Sequence, residues 1–133
     1  MQFKGGILVK VLIVEDMNIN RILLKNILKN FEEIKCIDEA VNGIEAVEKI
    51  IKAYKENNKY DIIFLDIIMP MQSGYHVLEQ IEKYEIHNDI DKENRSKIII
   101  ISSLNNDKNL KSRIDGIIIK PINYDMIKNI FNK

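Results

Sequence analysis

The chain has 133 residues, 46% hydrophobic and 30% charged, enough for one domain with a real core. Twenty basic and twenty acidic residues cancel, and no basic block occurs, which argues against nucleic-acid or anionic-membrane binding. One cysteine, Cys36, and two scattered histidines exclude an internal disulfide and a zinc site, and point to a reduced, cytoplasmic setting.

The opening MQFKGG lacks the apolar core of a signal peptide, and no apolar run reaches membrane-spanning length. The first predicted strand is Ile7–Val14, a β-branched run that ends on Glu15 and Asp16. A helix follows, with Ile19, Ile22, Leu23, Ile27 and Leu28 assigned to one face and Asp16 a candidate N-cap. A weaker strand is expected at Ile34–Ile37, where Cys36 reads as a small buried residue. Asn42-Gly43 turns into a second helix whose face is read as Ile44, Val47, Ile50 and Ile51.

The third strand, Ile62–Leu65, delivers Asp66 and is stopped after Met69 by Pro70. A third helix runs from about Tyr75 through Val77, Leu78 and Ile81, after a Gly74 read as serving backbone geometry. The polar stretch 86–97 is expected as a surface loop or helix extension, with His87 solvated. The fourth strand, Ile98–Ile101, ends on Ser102 and Ser103. The connection from Ser102 to Gly116 is the least helical. Asn105 and Asn106 interrupt its start, so the helix there is expected to be short or irregular. A short strand, Ile117–Ile119, leads to Lys120-Pro121, and a last helix carries Met126, Ile127 and Ile130.

Continuous apolar runs suit parallel strands covered on both faces, and the β-α alternation argues for a doubly wound α/β fold of five strands. Such sheets bind ligands at the carboxyl ends of their strands. Glu15, Asp16, Asp66, Ser102 and Lys120 all fall at such ends. Clustered carboxylates repel unless a cation joins them, and hard oxygen ligands suit Mg2+. A carboxylate can also be a nucleophile that carries a phosphoryl group.

These residues carry a resemblance. VLIVEDMNINR (11–21), AVNGIEAVEKI (40–50), DIIFLDIIMPMQSG (61–74), IIIISS (98–103) and IIIKPI (117–122) resemble, in order, the segments of the receiver domain of two-component response regulators. The likeness covers about 7–131 of a single domain taken as 1–133, and NINR is similar to receivers of the hybrid histidine kinase type. It implies a flavodoxin-like sheet in the order 2-1-3-4-5. It implies Asp66 as phosphoacceptor, with Mg2+ held by Glu15, Asp16, Asp66 and the Ile68 carbonyl. It further implies Ser102 and Lys120 against the phosphoryl group and a cis peptide at Lys120–Pro121. The implied partner is a histidine kinase or histidine phosphotransfer protein. A monomer is expected, which assists only its own phosphorylation and dephosphorylation and is not otherwise an enzyme. The chain's length leaves no room for an output domain, so the expectation is a stand-alone receiver or the receiver of a larger protein.

Departures from the family pattern are visible. Ile117 stands where the family usually carries an aromatic switch residue, and Ser73 where Asp often precedes the glycine. The stretch 102–120 is about a helical turn short, and the loop before Ile98 is long. Ile68 and Leu104, two residues after Asp66 and Ser102, are apolar and bulky, which predicts slow self-dephosphorylation. Partner docking is expected around Tyr124, Met126, Ile127 and the first helix. An aspartyl-nucleophile phosphatase would need a second acid at Ile68, and a flavin-binding module would need a Ser/Thr/Gly-rich loop in place of EDMNIN. The remaining alternative is a degenerate receiver acting as an unphosphorylated protein-binding module.

Overall fold

The structure is a computed structural model, described here for residues 9–69, 73–103 and 113–132. Five strands, β1 (Val9–Val14), β2 (Ile34–Ala40), β3 (Ile62–Asp66), β4 (Lys97–Ser102) and β5 (Gly116–Ile119), form one sheet in the order β2-β1-β3-β4-β5. Every pairing is parallel. Helices α1 (Asn18–Leu28), α2 (Gly43–Lys55), α3 (Gly74–His87) and α4 (Tyr124–Phe131) connect or follow the strands. The polar stretch resolves into the end of α3 and a loop with one 3-10 turn, Lys92–Asn94. The segment expected to hold a short or irregular helix, with Asn105 and Asn106, lies outside the described residues, as do Pro70 and Leu104.

The continuous apolar runs have a direct explanation. Leu12, Val14, Ile63, Leu65, Ile98 and Ile100 face a core under α2 and α3. Their strand neighbours Val11, Ile13, Ile62, Phe64, Ile99 and Ile101 face a second core with α1 and α4. Successive strand residues point to opposite faces, so a sheet covered twice needs no polar positions.

Two helix faces differ from their expected composition. In α1 the buried stripe is Leu24, Ile27 and Leu28, whereas Ile19, Ile22 and Leu23 are exposed. At 100° per residue the stripe continues back through Arg21 and Asn20, both half-buried, so polar residues take the inward positions next to the strand ends. In α2 the buried positions are Gly43, Ala46, Ile50 and Ala53, and Ile44 is exposed, because small residues let this helix lie close to the sheet and α3. Cys36 is only half-buried, since β2 is an edge strand with a single neighbour. Asp16 does not cap α1. Met17 occupies that position without a side-chain bond. Asn42, Ser73 and Asn123 do cap α2, α3 and α4, accepting from the N–H groups of Glu45, His76 and Met126.

At the amino end of β4 lies a buried polar knot. Glu85 of α3 is 0% exposed and receives two bonds of 2.7 Å from Arg113, plus the Tyr54 hydroxyl at 2.5 Å. Arg113 also donates to the Ser96 carbonyl at 2.8 Å. The knot ties α2, α3 and the approach to β5 together, at the end of β4 opposite Ser102.

Candidate functional site

The strand order reverses between β1 and β3, and the site forms there. The register places Val14 beside Leu65 and Asp66 beside Ile101, so Glu15, Asp16, Asp66 and Ser102 emerge at one edge. Lys120 joins them because its N–H donates to the Ser102 carbonyl at 2.8 Å, just past the end of β5. The Lys120–Pro121 peptide is cis.

Carboxylate oxygens of Glu15, Asp16 and Asp66 lie within 4.8 Å of one another. Glu15 and Asp66 are 1% and 3% exposed, and Asp16 is half-buried. The Lys120 ammonium is 3.2 Å from Asp66 Oδ2 and 3.6 Å from Glu15 Oε1. Asp66 Oδ1 accepts from the Ile68 N–H at 3.1 Å. Ser102 is 2% exposed, and the Ile68 side chain is 63% exposed at the mouth.

The electrostatics are strained by design of the donor set. Burial first, then hydrogen bonding and repulsion from Asp66, push the Glu15 carboxyl up to about 7, against weaker help from the Met17 N–H and Lys120. Burial works against the Lys120 charge, but Asp66 and Glu15 outweigh it and raise that ammonium above its usual range. Among the described residues, buried Glu15 Oε1 accepts no hydrogen bond and has the Lys120 ammonium 3.6 Å away. A buried carboxylate oxygen that lacks a hydrogen bond among three acids is what a divalent cation with oxygen ligands would satisfy, so the residues fit Mg2+.

Gly74 closes the floor. Its N–H donates to the Ile67 carbonyl at 2.9 Å, and a Cβ there would sit 2.7 Å from both the Asp66 carbonyl oxygen and Ile67 Cα. Glycine serves here through close approach of α3 to the end of β3, not through unusual dihedrals.

Of the residues expected at the site, Glu15, Asp16, Asp66, Ser102 and Lys120 come together, with Ile68 at the mouth. Ile117 is 47% exposed on β5 and lines an open groove with Met126 and Ile130. Leu104 lies outside the described residues. Of the docking face expected around α4, Ile127 needs correction, because it is fully buried in the core, whereas Tyr124 stacks on Phe31 at 5.4 Å and is still 43% exposed. Two bordering residues were not anticipated. Arg21 donates to the Glu15 carbonyl and to Glu39 of β2. The signal was available in the spacing, since an arginine one turn into α1 can reach back over the preceding acidic pair.

A doubly wound parallel sheet with a carboxylate trio and a lysine at its switch point is the arrangement of a receiver-type signalling domain. Residues 11–132 match the response regulator receiver domain, and the chain belongs to that family. The chemotaxis protein CheY of Halobacterium salinarum is 34% identical over 116 residues, 84% of each chain. The osmosensing histidine protein kinase SLN1 of Saccharomyces cerevisiae is 30% identical over 129 residues, which are 94% of this chain but 10% of that kinase. Among solved structures, the co-crystal of the S. cerevisiae phosphotransfer protein Ypd1 with the Ssk1 receiver domain matches with a TM-score of 0.77 at 27% identity, covering 97% of this chain and 90% of that one. The CheX–CheY complex of Borrelia burgdorferi with BeF3 and Mg2+ matches with a TM-score of 0.76 at 29% identity, covering 93% and 87%. Among the described residues no helix is long and apolar enough to cross a membrane.

Proposed function

We propose that this chain is a phosphoacceptor receiver, a single domain spanning 1–133, in which Asp66 takes a phosphoryl group from a partner phosphohistidine. The partner would be a histidine kinase or a histidine phosphotransfer protein, met by a cytoplasmic monomer. An Asp66 carboxylate oxygen attacks phosphorus as the P–N bond breaks, the imidazole leaves with the electron pair, and an acyl phosphate forms. Lys120, now 3.2 Å from Asp66 Oδ2, transfers its contact to a phosphoryl oxygen. Ser102 donates its hydroxyl to another. Glu15, Asp16, Asp66 and the Ile68 carbonyl would hold Mg2+, which when bound neutralises charge on the phosphoryl oxygens. New bonds from Ser102 and Lys120 pull on the ends of β4 and β5, which shifts the equilibrium of that face and the contacts it makes.

The observation that carries this reading is the cluster of three carboxylates, two of which, Glu15 and Asp66, are buried and pair with one lysine. The test is intact mass after incubation with Mg2+ and acetyl phosphate. A Mg2+-dependent gain of one phosphoryl group that vanishes in Asp66→Asn supports it. No gain, repeated with a phosphohistidine donor, refutes it.

One observation favours a second reading, the degenerate binding module. Ile117 occupies the usual aromatic switch position and stands 47% exposed, so the family's usual readout side chain is absent. Mg2+-dependent binding of beryllofluoride separates the two, since only a working receiver retains the phosphoryl analogue.

A further inference from the structure

Arg21 lies outside the carboxylate–lysine set, yet it is 14% exposed and fully engaged. Its Nη1 donates to the Glu15 carbonyl at 3.0 Å, its Nε to Glu39 Oε1 at 3.1 Å and its Nη2 to Asn18 Oδ1 at 2.9 Å. Glu39 Oε2 also receives Lys25 at 3.1 Å, and the Glu39 carbonyl receives the Lys49 ammonium. One residue on, the Ala40 carbonyl accepts the Glu15 N–H at 3.1 Å. The Glu15 residue is therefore gripped at both ends. The end of β2 holds its N–H directly and its C=O through the Arg21–Glu39 pair. This peptide is where β1 stops and the acidic turn begins, so its orientation aims both the Glu15 and Asp16 side chains.

From this geometry we infer that Arg21 is a positioning residue for the metal site, fixing the Glu15–Asp16 turn by bridging the Glu15 carbonyl to Glu39. The inference rests on the receiver reading above, since it presumes that the three carboxylates bind Mg2+. A planar fork is required. Lysine could keep one charge contact, to Glu39 or to the carbonyl, but cannot bridge both in fixed directions. Partners that orient metal ligands are worth roughly 10–100-fold in metal affinity.

The experiment is calorimetric titration of Mg2+ into the full chain, for wild type, Arg21→Ala, Arg21→Lys and Lys25→Ala, each confirmed folded by circular dichroism. Arg21→Ala and Arg21→Lys should weaken Mg2+ binding by about tenfold. Lys25→Ala, which removes a Glu39 contact without touching the turn, should leave the affinity within about twofold of wild type. Acetyl-phosphate labelling of the Arg21 variants should recover at saturating Mg2+, because alignment for the metal is what they lose. If Arg21→Ala does not fold, Arg21→Lys alone decides. Unchanged affinity in a folded Arg21 variant, or an equal loss in Lys25→Ala, overturns the positioning role while leaving the receiver reading intact. A wild type that binds no Mg2+ overturns both.

Discussion

Replacing Glu15 with glutamine measures the cost of assembling the acidic cluster. In the metal-free protein the Glu15 carboxyl is raised from 4.5 to about 7, chiefly by burial and then by Asp66. The folded state therefore holds a proton between these values that the unfolded chain has released. The sign follows: folding stability falls as pH rises through this window, and the penalty is complete above pH 7. At ~1.4 kcal/mol per unit, its size is about 3 kcal/mol at pH 8. Glutamine keeps the shape and removes the charge. In EDTA, Glu15→Gln should be more stable than wild type by about 1–3 kcal/mol at pH 8 and nearly equal at pH 4.5, by urea unfolding. Millimolar Mg2+ should stabilise wild type and do little for the variant, because the carboxylate that completes the site is gone. A variant less stable than wild type at pH 8 in EDTA would show that Lys120 already compensates the charge, and would refute the account of the cluster as strained without a cation.

The same proton predicts that Mg2+ affinity drops by about fivefold between pH 7 and pH 6, as a Glu15 carboxyl raised to about 7 must give up a proton to bind; a flat profile by calorimetry counts against Glu15 as a ligand. Arg113→Ala should destabilise by roughly 3–5 kcal/mol, since it strands a fully buried Glu85 carboxylate, whereas Arg113→Met with Glu85→Leu should recover most of the loss in urea unfolding. Gly74→Ala forces a Cβ against the backbone of Asp66 and Ile67, so a loss of about 1–3 kcal/mol and slower acetyl-phosphate labelling are expected by denaturation and intact mass. Ile68→Asn places a group able to orient water at the mouth. One added hydrogen bond of about 1 kcal/mol should speed decay of the phosphorylated form severalfold to tenfold, and an unchanged decay by mass spectrometry rejects the idea.

Sequence alone determined the α/β class, the β-α order and which residues end each strand. The reason is local: unbroken Ile, Leu and Val runs leave no polar face, so each strand must be covered twice, and a carboxylate following such a run can only lie at its tip. The five residues that meet at the site were legible for that reason. Helix faces were less legible, because Ile19, Ile22 and Leu23 satisfy an apolar spacing as well as Leu24, Ile27 and Leu28 do, and only the direction of the sheet selects between them. The Glu85–Arg113–Tyr54 knot was invisible, since its members are far apart in sequence and each reads as an ordinary surface residue. So was the Arg21 bridge, which needs β2 beside β1 before Glu39 comes within reach of α1. What the tertiary structure decided was the strain of the site. A strand end becomes an electrostatic problem in search of a cation only when parallel pairing brings Glu15 and Asp66 together out of water.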